Sequence, residues 1–218
     1  MKKTICGISL CLFTAGIASA QTRVAGLAPL PTGCVLPQVA QPQPWHFISE
    51  SDISKKIRAW RDIDSNDPQN KLLAANSQLA SILVNGFFSG AYKAYSAVDD
   101  RFTTQLSRQD IINLLTAGSG GFNPANVTKY RIKEDWIYIS STGSMEVRIV
   151  GLAPLITIKN VDGSAQDKPA FWVYYPDARN YLAQNKVISK EKPYILNWDQ
   201  AFNIGFHGDP FRTIETKY

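Results

Sequence analysis

The strongest strand signal in the sequence lies in three runs, Tyr130-Arg-Ile-Lys-Glu-Asp-Trp136, Ser144-Met-Glu-Val-Arg-Ile-Val150 and Phe171-Trp-Val-Tyr-Tyr-Pro176. In the first two runs apolar and polar residues alternate along the chain, which is the period of a β-strand. Turn-forming residues at 140–143 separate these runs, so we expect an antiparallel hairpin. The third run is expected to be a further strand that ends at its proline.

Helical patterns flank this block on both sides. Before it, Ile53, Ile57 and Trp60 recur at intervals of four and three residues, which predicts an amphipathic helix. Capping residues and prolines mark the starts of further helices. Helices are therefore expected to begin near Ser51, Asp67, Ser107, Asp177 and Asn197. Strands grouped between helices indicate an α+β fold, with a small antiparallel sheet of three to five strands packed with helices.

Residues 1–20 have the pattern of a secretory signal peptide. Lys2-Lys3 precede an apolar run from Ile5 to Ile17, and the small residues Ala18-Ser-Ala20 follow it. The apolar run is shorter than the roughly 18 residues that a membrane span needs. We therefore expect export with cleavage before Gln21, and no direct membrane span.

The next part of the chain, residues 21–50, is rich in proline and glutamine and predicts an extended arm or linker. This arm carries Cys34, which is the one cysteine left after processing, so no internal disulfide is expected. Residues 51–218 have the length of a single domain. Basic and acidic residues alternate along this domain, and a nucleic-acid partner is therefore not expected.

Catalytic motifs are absent from the sequence. It has two histidines, His46 and His207, and neither a His-x-x-x-His pair nor a Gly-x-Ser-x-Gly elbow. Asp99-Asp100 is typical of a turn, where adjacent carboxylates point in different directions. We therefore expect no catalytic residue, cofactor or metal. The alternative is a periplasmic ligand-binding or enzyme-like domain with a pocket near Trp172 and Tyr174.

Four motifs in order give the chain a family resemblance: Asp99-Asp-Arg-Phe-Thr103, Ile132-Lys-Glu-Asp-Trp136, Met145-Glu-Val-Arg-Ile149 and Phe171-Trp-Val-Tyr-Tyr-Pro176. From Ile53 onward the chain resembles the GldN/PorN family of gliding motility and type IX secretion in Bacteroidetes. The resemblance implies a non-enzymatic structural subunit in the periplasm, at the inner face of the outer membrane. It also implies a ring formed with the outer-membrane lipoprotein GldK/PorK and contact with the periplasmic part of the motor component GldM/PorM.

The charged residues of the predicted hairpin are the candidates for a protein interface. Glu134, Asp135, Glu146 and Arg148 are expected on its solvent side, where charges can fix the register of a partner. The alternative is that these charges pair across the strands, for example Arg131 or Lys133 with Glu146. Both interpretations remain open from the sequence.

Overall fold

The computed structural model describes residues 40–117, 121–159, 162–188 and 197–216. By its contacts the chain divides into two units, Met1–Gln38 and Val39–Tyr218, and all of the described residues belong to the second. The predicted signal peptide, Cys34 and the sequence Gly118-Ser-Gly120 therefore lie outside the described residues. Within them, no helix combines the length and the apolar character needed to cross a membrane.

The described residues form a mixed α+β fold, as predicted. Seven strands make one sheet with the order β2-β6-β4-β3-β1-β7, and β5 pairs with one end of β4. Every pairing is antiparallel. The strands are β1 (Ile53–Asp64), β2 (Ala94–Tyr95), β3 (Lys129–Ile139), β4 (Ser144–Lys159), β5 (Ala165–Pro169), β6 (Trp172–Tyr174) and β7 (Pro210–Thr216). The helices are α1 (Lys71–Ala75), α2 (Leu79–Phe88), α3 (Arg108–Thr116), α4 (Tyr175–Gln184) and α5 (Trp198–Ile204).

The hairpin predicted from the sequence is confirmed and forms the centre of the sheet. β3 pairs with β4 from Tyr130↔Pro154 to Ile139↔Ser144, with one irregularity beside Lys133 and Glu134. β4 continues through Leu155–Ile158 without a break, and this part of the strand pairs with β5 instead of β3. The sheet is larger than the expected three to five strands because β1 and β7 add to its other side.

The predicted helix over Ile53–Trp60 is wrong, because this segment lies in β1. The strand pairs with β3 on one side and with β7 on the other. Its charged residues suggested the solvent face of a helix, but they face charges on β3. Arg58 binds Asp135, and Arg61 contacts Glu134 at 2.8 Å. The polar positions therefore reflect ion pairs between strands.

The second predicted helix begins as expected but is broken into parts. The Asp67 carboxylate accepts a hydrogen bond from the Gln69 backbone N–H at 2.8 Å, at the start of a short 3-10 helix. α1 and α2 follow, separated at residues 76–78. The Asn76 side chain exchanges two hydrogen bonds with the backbone of Ile188, at 2.8 and 2.7 Å. This long-range contact, which local spacing cannot show, accompanies the break.

The main core lies on the face of the sheet that α2, α4 and α5 cover. Ile132 of β3 and Leu152 of β4 are buried there against helix residues such as Leu83 and Phe202. The Tyr130 hydroxyl accepts a hydrogen bond from the Ala80 backbone N–H at 3.1 Å, near the start of α2. The bond satisfies a donor that a helix leaves unpaired at its N terminus, and it fixes α2 to the sheet.

Candidate interaction surface

Glu134 is held inside the domain. Its side chain is 2 % exposed, and the Arg61 guanidinium donates to both carboxylate oxygens, at 3.0 and 2.8 Å. The Trp136 indole N–H donates to Oε2 at 3.0 Å. A bidentate arginine pair with a third donor satisfies a buried carboxylate. The negative charge of Glu134 is therefore neutralised by its own chain.

Asp135 is also enclosed, with 7 % of its surface exposed. The Arg58 Nε and Nη2 groups donate to its two oxygens, and Lys56 Nζ lies 2.9 Å from Oδ2. Burial raises the pKa of the Asp135 carboxyl, but the hydrogen bonds from Arg58 and Lys56 outweigh burial and leave the pKa below its usual value of 3.8. The folded domain therefore stabilises the ionised form.

This pKa shift predicts a pH dependence of stability. Because the folded-state pKa of Asp135 is depressed, its contribution is present above the unfolded value of 3.8 and is lost as the pH falls through the folded value. Urea unfolding over roughly four pH units, from about pH 6 to about pH 2, measures the slope. We expect Asp135→Asn to reduce the acid slope by at most about 1.4 kcal/mol per pH unit.

The control for this experiment is Asp209→Asn, because Asp209 is an exposed acid in the loop before β7. This variant should leave the acid slope close to that of the wild-type chain. An unchanged slope in Asp135→Asn would show that the Arg58 and Lys56 contacts do not favour the ionised carboxylate.

Glu146 and Arg148 lie at the outer side of the hairpin and are partly exposed. Arg148 Nε donates to Glu146 Oε1 at 2.8 Å, and Arg148 Nη2 donates to the His46 backbone carbonyl. Two of the four candidate residues are therefore accessible to a partner. The expectation that all four lie on the solvent side is wrong for Glu134 and Asp135, because β1 supplies their counter-charges.

Charged residues do form ion pairs within the domain, but Arg131 and Lys133 pair with residues other than Glu146. Arg131 Nε contacts Asp62 Oδ1 at 2.7 Å on β1. The buried Lys133 ammonium contacts Asp100 at 3.4 Å and lies over the Phe102 ring. The sequence indicated ion pairs between strands. It did not identify β1 as the strand that supplies a partner, because this segment was expected to be a helix.

A segment before the first strand binds in a site that the sequence did not indicate. Two guanidinium groups lie over the Trp45 ring, with the Arg179 Cζ atom 4.6 Å and the Arg148 Cζ atom 5.5 Å from its centroid. Cations over an indole face are attracted by its π-system. We call Arg148, Arg179 and Asp199 the Trp45 clamp. The signal in the sequence was one large aromatic residue, Trp45, next to Pro44 in the proline-rich segment.

The clamp also binds the backbone before Trp45. The Gln43 N–H donates to Asp199 Oδ2 at 2.8 Å, and its carbonyl accepts from Arg179 Nη2. Arg179 Nε donates to Asp199 Oδ1 at 2.7 Å. Asp199 is 0 % exposed, so these donors supply the hydrogen bonds that water cannot reach it to make. Together with the bond from Arg148 to the His46 carbonyl, the clamp thus binds the backbone on both sides of Trp45 and the Trp45 ring.

An open groove of about 600 Å³ lies next to the clamp, and the bound Trp45 side chain forms part of its lining. Met145 and Val147 of β4 and Ile204 of α5 contribute apolar side chains that are about half exposed. The ion pair between Arg61 and Glu134 also lines it. Exposed apolar side chains around a concavity are typical of protein interaction sites.

Phe102 packs against both Trp172 and Tyr174. An open pocket of about 350 Å³, lined also by Asp100 and Arg212, reaches Trp172 beside them. The Phe102 ring centroid lies 6.2 Å from that of Trp172 and 5.3 Å from that of Tyr174. Phe102 also packs on Gly151, where an added Cβ would lie 2.6 Å from its Cζ atom. These aromatic residues form a second core cluster on the face of the sheet opposite the helices. Their spacing reflects packing between side chains.

The remaining polar candidates make structural contacts. The Asp99 carboxylate accepts from the Arg101 N–H at 2.9 Å, and Asp100 accepts from the Trp60 indole, so the predicted turn is confirmed. His207 Nδ1 lies 2.6 Å from Asp67 Oδ2. Across the described parts of the chain, no group of three or more His, Cys, Asp or Glu side chains is placed to hold a metal ion.

A family model matches most of the chain. The model of a family described as "Gliding motility associated protein GldN" matches residues 48–208, which is well over half of the chain. The matched range contains the hairpin and all three residues of the Trp45 clamp, while Trp45 and β7 lie outside it. No curated protein is similar enough to be matched.

Proposed function

Since the chain belongs to the GldN family of gliding-motility-associated proteins, components of type IX secretion, we propose that it is a non-enzymatic structural subunit. In this proposal it occupies the periplasm at the inner face of the outer membrane. It forms a ring with a GldK/PorK-like outer-membrane lipoprotein and contacts the periplasmic part of a GldM/PorM-like motor component. The observation that carries the proposal is the family match over residues 48–208.

The chemistry of the domain supports a structural role. The charges of Glu134 and Asp135 are neutralised by Arg61, Arg58 and Lys56. A carboxylate that two or three donors hold in a fixed geometry suits a rigid framework, because each donor is itself part of the sheet. Phe102 packs on both aromatic side chains that suggested a ligand pocket, so these side chains contribute to a core cluster. These features favour a framework that presents its surface to partners.

We assign the partner surface to the outer part of the hairpin and the groove beside it. Glu146 and Arg148 provide charge there, and Met145 and Val147 provide apolar surface. An interface core of apolar side chains with charges at its rim is the usual arrangement in protein complexes. Glu134 and Asp135 act beneath this surface, where they fix the position of the hairpin.

The test is co-expression of the processed chain with the GldK-like lipoprotein and the GldM-like periplasmic region of the same genome. We expect the wild-type chain to co-purify with at least one of them. Val147→Glu places a charge in the groove and should weaken capture of that partner by at least about tenfold, as for an anchor residue. Ile112→Glu is the matched control, because Ile112 is similarly exposed on α3.

Two outcomes would count against the proposal. Absence of co-purification with both partners contradicts the structural-subunit role. Equal capture of the Val147→Glu and Ile112→Glu variants contradicts the assigned surface. Circular dichroism of both variants confirms that each one is folded before the capture assay.

A further inference from the structure

We propose that the segment Pro42–His46 is exchanged between copies, so that Trp45 of one copy binds the Trp45 clamp of the next. This inference deepens the proposed function and rests on its self-assembly, for which it names the contact. The partner is a second copy of this chain, and the ligand is a backbone unit followed by an indole ring. The site combines Arg148 of β4 with Arg179 of α4 and Asp199 of α5.

The first argument is that the clamp recognises a short, self-contained segment. Its hydrogen bonds go to the backbone of Gln43 and His46, and its cation–π contacts go to Trp45. The residues that bind the segment lie 102 to 156 positions away in the sequence. Nothing in these contacts depends on whether the segment and the clamp share one chain.

The second argument concerns the connection to the domain. Phe47 follows the bound segment and is 85 % exposed, and Ser49, Glu50 and Ser51 are also exposed. Asp52 is fixed to the hairpin turn by hydrogen bonds from Ser140 and Ser141. Residues 47–51 before it can span about 17 Å when extended, which is enough to reach a neighbouring molecule. Rerouting an exposed connection breaks few contacts, so exchange of an identical element between copies has a low energetic cost.

The third argument is the surface that surrounds the clamp. The groove borders Trp45 and carries the half-exposed side chains of Met145, Val147 and Ile204. A neighbour that inserts its own Trp45 brings its exposed Phe47 to this apolar surface. The second domain that exchange brings to the groove can then cover the half-exposed side chains of Met145, Val147 and Ile204, which a single copy leaves in water.

The geometry of exchange also determines the kind of assembly. Each copy has one Pro42–His46 segment and one Trp45 clamp, and the segment and the clamp are different surfaces. Such a heterologous contact produces a closed ring or an open filament. Successive copies are then joined by the same contact throughout.

The first experiment changes the length of the connection in the full processed chain, under reducing conditions that exclude disulfides of Cys34. Mass is measured by light scattering over a wide concentration range. The native connection already lets the segment reach its own clamp, so the informative change is a shorter connection. Deletion of Phe47-Ile48 should prevent the segment from reaching its own clamp, deplete the monomer and strengthen self-association by at least about tenfold.

The second experiment is complementation between two variants. Trp45→Ala keeps the clamp but lacks the indole, whereas Arg148→Ala keeps the segment but weakens the clamp. Each variant alone should self-associate at least about tenfold more weakly than the wild-type chain. Their mixture should form a one-to-one complex, because one intact segment meets one intact clamp. Urea unfolding of each variant shows that it is folded.

The inference is overturned if Trp45→Ala self-associates like the wild-type chain, or if the mixed variants form no complex. Its failure is separate from failure of the proposed function. A Trp45→Ala variant that co-purifies with the lipoprotein and still self-associates refutes exchange alone. A chain that exchanges segments but binds neither partner refutes the proposed function alone.

Discussion

Replacing Arg179 by Met should lower the free energy of unfolding by about 3–5 kcal/mol, the usual loss when one partner of a buried ion pair is removed. Asp199 is fully buried and accepts from Arg179 through both oxygens, at 2.7 and 3.1 Å. Methionine fills a similar volume but leaves this carboxylate with a smaller set of donors. The loss corresponds to a fall of roughly 6–20 °C in the thermal midpoint for a domain of this size.

The matched control is Arg148→Met, because both arginines lie over the Trp45 ring. The Arg148 side chain is partly exposed and its pair with Glu146 is partly hydrated, so this variant should lose no more than about 1 kcal/mol. Urea and thermal unfolding measure both variants. Equal losses would mean that the stacking on Trp45, and not the buried pair with Asp199, controls the stability at this site.

Glu134→Ala should lower the free energy of unfolding by about 2–4 kcal/mol, because it leaves the Arg61 charge largely buried. The estimate lies below the full cost for a buried pair since Arg61 keeps its hydrogen bond to the Phe206 carbonyl. The Trp136 indole N–H also loses its acceptor. The effect is expected in the isolated chain, in the absence of any partner.

Glu146→Ala is the comparison that distinguishes a partly exposed charge of the hairpin from the buried charge of Glu134. Its carboxylate pairs with Arg148 at the surface, so its removal should change the unfolding free energy by less than about 1 kcal/mol. Glu146→Ala should weaken partner capture, measured at a temperature where both variants are folded. A stable Glu134→Ala variant that only loses a partner would restore Glu134 as an interface residue and contradict our assignment.

The sequence predicted those elements whose determinants are local. Alternation along β3 and β4 and the turn between them indicated the hairpin. The Ser107 and Asp110 side chains form the predicted capping box of α3, and the Asn197 side chain accepts from the Gln200 N–H at the start of α5. Each of these signals depends on residues within four positions of one another.

The strands β1 and β7 could not be predicted in the same way. The spacing of Ile57 and Trp60 fits a helix, and only pairing with β3 and β7 makes an extended chain the better solution. Propensity and local periodicity are overridden when a segment gains a partner on both sides. The C-terminal residues Phe211 and Ile214 showed apolar spacing but no clear alternation, so β7 remained unrecognised.

The candidate site was predicted in part. Charge on the hairpin identified Glu146 and Arg148, which are accessible, together with Glu134 and Asp135, which are not. Exposure could not be inferred because the counter-charges come from β1, which was expected to be a helix. The Trp45 clamp was not predicted, because Arg179 and Asp199 are brought to Trp45 only by the packing of α4 and α5 against the sheet.

The length of β4 has a mechanical consequence for the domain. β4 runs over Ser144–Lys159 and pairs with β3, β5 and β6. Hydrogen bonds of an antiparallel sheet are perpendicular to the strands, so a force along β4 loads them together in shear. The β2–β6 edge pairs only Ala94↔Val173 and Tyr95↔Trp172, and a force across the sheet there opens them one after the other. The domain is therefore stiff along β4 and yields first at its β2 edge.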